Sequence, residues 1–130
     1  MRLRSIVLLA GLLTPRAASA QAKWIAIGKT SSGSQVYLDK RSVSRTGNLV
    51  GATVRVVFGT PVQTPKGPWA SSRTKAVFDC GKQSLAAREN SFFADVGGSR
   101  LTERTVNKLP GFGPALKGSL GQVALDYLCR

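Results

Sequence analysis

The thiols and carboxylates are few: Cys80, Cys129 and the acids Asp39, Asp79, Glu89, Asp95, Glu103 and Asp126, with no histidine in 130 residues. Without imidazole the commonest general base is missing, and so are the triads built on it. A thiol nucleophile would lack the partner that takes its proton. A structural metal site needs four ligands, typically Cys and His, and two thiols do not complete one. Carboxylate catalysis needs two acids held together in a cleft, and no recognisable motif pairs these six. The "GKT" at Gly28 to Thr30 ends like a phosphate-binding loop, but it lacks the earlier glycine and follows a strand without opening a helix. The expectation is no enzyme, no cofactor and no metal.

The two cysteines then need another role, and the compartment supplies it. Residues 1–20, MRLRSIVLLAGLLTPRAASA, begin with Arg2 and Arg4, run apolar from Ile6 to Leu13 and end in Ala18-Ser19-Ala20. That is the pattern of an export signal cut before Gln21, with Arg16 an unusual charge near the cut. Its apolar run is far shorter than the roughly 20 residues of a spanning helix. The chain is thus expected to comprise a signal over 1–20 and a single exported domain over 21–130, periplasmic or secreted. No cysteine near the cut offers a site for a lipid anchor, and no retention tail is present. In an oxidising compartment two cysteines in a short domain pair with each other. A Cys80–Cys129 bridge closes a loop of about 50 residues, for which chain entropy gives on the order of 4 kcal/mol.

The elements must bring these cysteines together. Lys75 to Cys80 alternates polar and apolar, a half-buried strand that turns Cys80 inward with Phe78. "AKWIAIGK" (Ala22 to Lys29) and "QVYLD" (Gln35 to Asp39) flank the turn "TSSGS" and form a first hairpin. "KRSVSRTGN" (Lys40 to Asn48) reads as a polar connection. "LVGATVRVVFG" (Leu49 to Gly59), β-branched with Arg55 mid-run, is a long strand. "TPVQTPKGP" (Thr60 to Pro68), with three prolines, reads as a loop. After Cys80, "KQSLAARENSFFADVGG" reads as one bent strand or two, and "SLAARE" would also suit a helix. "LPGFGPALKG" (Leu109 to Gly118) is irregular. The period then changes: Ser119 is an N-cap, and Leu120, Val123, Ala124, Tyr127 and Leu128 make an apolar helical stripe. The predicted fold is α+β, an antiparallel sheet of about five or six strands with one C-terminal helix tied to it by the disulfide.

Charge points to the partner. Three of the 19 Lys and Arg lie in residues 1–20, leaving 16 against 6 acids and a net charge near +10 on the exported part. Such a surface favours anionic macromolecules, and export argues against nucleic acid. The densest basic group, Lys40, Arg41 and Arg45, is the candidate partner-binding site, set against the plainer reading of a solvated turn. The oligomeric state is left open, a homodimer included.

The order of features resembles a known family. A tryptophan soon after the signal is followed by "VYLD", a basic-polar turn with Ser42 and Val43, and a long β-branched strand. A strand ending "FDC" and a short final helix closing on a cysteine complete the series. Over roughly Lys23 to Cys129 this is similar to the surface-adhesin protein E-like domains of bacterial exported proteins. The resemblance implies an antiparallel sheet with a packed C-terminal helix and a non-enzymatic, adhesin-like protein that binds host extracellular proteins. The alternative is a soluble periplasmic accessory protein resting on anionic lipopolysaccharide or glycan. A third, a host lysozyme inhibitor, ranks last, because lysozymes are usually basic and would be repelled at long range.

Overall fold

A computed structural model describes residues 24–130; the export signal read from residues 1–20 lies outside the described residues. The alternating segments form one antiparallel sheet. Its strands are β1 (Trp24–Lys29), β2 (Gln35–Asp39), β3 (Ser44–Thr46), β4 (Leu49–Thr64), β5 (Gly67–Asp79), β6 (Ser84–Phe93), β7 (Leu101–Val106) and β8 (Gly113–Pro114). The order across the sheet is β1-β2-β4-β5-β6-β7, with β3 beside β4 and β8 beside β6.

Among the described residues the sheet therefore has eight strands where five or six were expected, and the domain is mostly β. The two extra strands are short. β2 pairs with Val54 to Val57 of β4 while β3 takes up Leu49 to Gly51 of the same edge. β7 and β8 likewise share the outer edge of β6. The sheet is six positions wide, and two of those positions are each filled by a pair of strands.

Two segments read as irregular are ordered. "KRSVSRTGN" holds a 3-10 turn at Lys40–Ser42, capped by Asp39, followed by β3. The proline-bearing stretch extends β4 and β5 into a long hairpin. Pro61 falls where the register shifts between Val57 and Val62, so its missing N–H interrupts no regular ladder. After Cys80 the chain makes a single strand, β6, with a register shift opposite Lys75 and Ala76.

The helix α1 (Leu120–Leu128) starts where its N-cap predicted: the Ser119 side chain accepts from the Gln122 amide. Its buried face differs from the expected stripe. Gly121, Ala124, Leu125 and Leu128 are buried, whereas Leu120, Val123 and Tyr127 are only half-buried. Close approach rotates the face. A Cβ at Gly121 would lie 2.8 Å from Leu85 Cδ2, so the bare side of that glycine meets the sheet. Gly28, at φ +154°, similarly leaves room for Val123, whose Cγ1 would lie 2.9 Å from a Cβ there. Leu125 and Leu128 pack with Leu38, Val50, Ala52, Val54, Ala76 and Phe78 in one core. Each large apolar side chain fully buried there contributes about 1.5–3 kcal/mol.

The Cys80–Cys129 disulfide is formed, with Cα atoms 5.4 Å apart and a sequence separation of 49. It joins the end of β5 to the C-cap of α1. Among the described residues no helix is long and apolar enough to cross a membrane.

Candidate functional site

The helix covers one face of the sheet, and the register fixes which side chains occupy the other. Partners run Ala26, Tyr37, Arg55, Arg73, Ser91, Arg104 in a single row across β1, β2, β4, β5, β6 and β7. The next row helixward, Leu38 with Val54 and Thr74, carries core residues on the opposite face. Because side chains alternate along a strand, the row of three arginines lies on the face without the helix.

This open face is held by aromatic and polar contacts. The guanidinium carbons of Arg55 and Arg73 stand 5.9 Å and 5.8 Å from the centre of the Trp24 ring, and that of Arg73 stands 5.4 Å from Phe93. Such cation–π contacts orient a guanidinium but satisfy none of its hydrogen bonds. Arg55 also donates through Nη2 to the Val96 carbonyl. Arg104 is different: its Nε donates to Glu89, and Lys75 lies 3.5 Å from the same carboxylate. The hydrogen bond from Arg104 is the main reason the Glu89 carboxyl stays below its usual pKa. Beside this pair lies a depression of about 400 Å³, lined by Ser42, Ser44, Thr53, Lys75, Arg88 and Glu89.

The loop after β6 closes one end of the face, and Asp95 organises it. Its carboxylate accepts from the Ser99 and Arg100 amides and from the Ser99 hydroxyl. These bonds, the Arg100 amide first, lower its pKa to about 2. A depressed carboxylate stabilises the fold above its unfolded value near 3.9, and that contribution fades as pH falls through the folded value. The Ser99 and Arg100 amide resonances should therefore titrate with a midpoint near pH 2. A midpoint near about 4, the ordinary carboxylate value, would show that the loop is not held by Asp95.

The predicted basic group sits elsewhere. Lys40 and Arg41 lie in the 3-10 turn and Arg45 in β3, all exposed. Arg45 pairs with Val50, in the register of the helix-bearing face, whereas its neighbour Ser44 meets Gly51 on the open side. The turn borders the depression through Ser42 and Ser44, and the three cations do not line it. Sequence reasoning missed Arg73 and Arg104 altogether. The available signal was Arg55 within a β-branched run, a charge where a buried strand would have none. Among the described residues no group of three or more His, Cys, Asp or Glu could hold a metal.

No curated protein matches the chain. Solved structures do. Haemophilus influenzae protein E is 15% identical over 84% of this chain and 85% of that one, with a TM-score of 0.55. Its second crystal form gives 16% identity, 84% and 88% coverage and a TM-score of 0.58. Protein E from non-typeable Haemophilus influenzae gives 14%, 89% and 81%, and 0.54. At such identity the likeness shows the shared fold. The model of the family described as surface-adhesin protein E matches residues 24–130, which span every strand, the helix and both cysteines. On that match the chain belongs to the surface-adhesin protein E family, a family of binding proteins rather than enzymes.

Proposed function

We propose that this is an exported, adhesin-like binding protein that holds anionic macromolecules of the host or the envelope through its basic surface. The observation that carries the reading is the open sheet face. It is uncovered by the helix and bears a row of three arginines, two of which have no carboxylate partner among the described residues. The exposed turn with Lys40, Arg41 and Arg45 adds cations at one edge. A net charge near +10 exceeds the roughly 2–8 that keeps a small domain soluble, and anionic partners give the excess a use.

Salt tests this. The Debye length falls from about 10 Å at 0.1 M to about 3 Å at 1 M. Binding to heparin-like glycan, lipopolysaccharide or an acidic protein should weaken by roughly tenfold or more across that range. Affinity that is unchanged by salt would count against the proposal. Reversing Lys40, Arg41 and Arg45 together should weaken binding more than reversing the scattered Lys66, Lys82 and Lys117. Equal losses would assign the attraction to the surface as a whole and leave the turn a solvated one.

A further inference from the structure

Arg55 and Arg73 face each other directly across β4 and β5. Like charges in that position repel, and a protein normally answers with an acid nearby. None is available here. Among the described residues neither guanidinium makes an ion pair, since the salt bridges join Lys66 to Glu103 and Lys75 and Arg104 to Glu89. Asp95 lies in the loop after β6, whose Val96 carbonyl accepts from Arg55, but its carboxylate oxygens accept from Ser99 and Arg100. Residues 1–23 contain no Asp or Glu that could fold over the site.

The donors are unsatisfied as well. The Nε atoms of both arginines are buried without a hydrogen-bond partner. Arg55 has one acceptor, the Val96 carbonyl, and among the described residues Arg73 has none. Two half-buried guanidinium groups, each able to donate five hydrogen bonds, are thus fixed in place by Trp24 and Phe93 and left without counter-charge. Pre-oriented planar guanidinium is the side chain that matches a planar carboxylate in bidentate fashion.

We propose that Arg55 and Arg73, seated on Trp24, clamp a carboxylate from an acidic protein segment laid on the open face. The inference rests on the reading of that face as the binding surface and names the group it receives. The neighbouring row favours a protein source. It runs Val57, Ser71, Phe93, Leu101; Ser71 and Phe93 are buried, but Leu101 at its end is 56% exposed, as is Val96 (57%), whose carbonyl accepts from Arg55. An Asp or Glu flanked by apolar residues would cover Leu101 and Val96, whereas an acidic glycan would leave them bare.

The test compares the full chain with Arg73→Lys and Arg55→Lys, which keep the net charge but lose the planar fork. The probe is a synthetic peptide of three glutamates interleaved with valines; controls are its Glu→Gln counterpart and a heparin fragment. The parent should bind the Glu peptide and not the Gln peptide, and each lysine variant should lose about tenfold or more in affinity. Lys66→Arg should bind as the parent does. If Arg73→Lys binds equally well and salt still weakens the complex, the clamp is overturned while the basic-surface reading stands. If the parent binds no anionic probe, that reading falls with it. A heparin fragment that binds more tightly than the peptide and depends on Arg73 would overturn the protein source. A structural role is separated by thermal unfolding without ligand. Arg73→Gln should melt within about 4 °C of the parent, because the repulsion from Arg55 that it removes offsets the contacts with Trp24 and Phe93 that it loses. A fall of more than about 4 °C would mean that Arg73 supports the fold, and would overturn the proposal.

Discussion

Replacing both Cys80 and Cys129 by serine should lower the stability of the domain by about 2–5 kcal/mol. The bridge spans 49 positions, so reduction frees a long loop in the unfolded chain. It also holds one end of a helix of nine residues, shorter than the 12–15 or so that a helix needs to persist in water by itself. With the serines, α1 is kept on the sheet by its packing face alone. Urea unfolding should show a lower midpoint at an unchanged slope. A double-serine protein with the parent midpoint would mean that the bridge is incidental to stability.

Leu125→Asp should prevent folding outright. Leu125 is fully buried among Leu38, Val54, Phe78 and the other core residues. A carboxylate there would lie in a dry core with no partner, on top of the lost Leu packing, a cost above about 4 kcal/mol. Asp126→Ala, one position on and exposed, should stay within about 0.5 kcal/mol of the parent. Val123→Asp should fall between them, since Val123 is half-buried at the rim beside Gly28. Circular dichroism of the purified proteins decides it. If Val123→Asp were the more damaging of the two, the helix would be rotated from the position described.

What could be read from sequence follows how local each signal is. The staple was legible because the export signal expected over residues 1–20 and the lack of histidine bear on the cysteines together. The start of α1 was legible because an N-cap is a contact between near neighbours. Its buried face was not, since which side of a short helix meets the sheet depends on Gly121 against Leu85 and Gly28 against Val123. The prolines of the long hairpin misled for a similar reason. Pro61 sits in the register shift and Pro65 in the turn itself, positions that only the pairing reveals. β7 and β8 carry few buried side chains, so alternation hardly marks them. The arginine row was the least legible feature. Arg55, Arg73 and Arg104 are far apart in the chain, and only the register of four strands sets them side by side.

The central claim is that anionic partners are held on the face opposite the helix, and the chain's two tryptophans report on the two faces separately. Trp24 lies under Arg55 and Arg73 on the open face. Trp69 stacks on Phe92 at 3.8 Å, and Phe92 pairs with Ser72 in the row of Val36 and Val56, on the helix-bearing face. The measurement is the pair of indole N–H resonances during titration with an acidic protein partner at low salt. The Trp24 resonance should shift with the binding isotherm while that of Trp69 stays in place. A shift of Trp69 with Trp24 unmoved would place the partner on the other face and contradict the account.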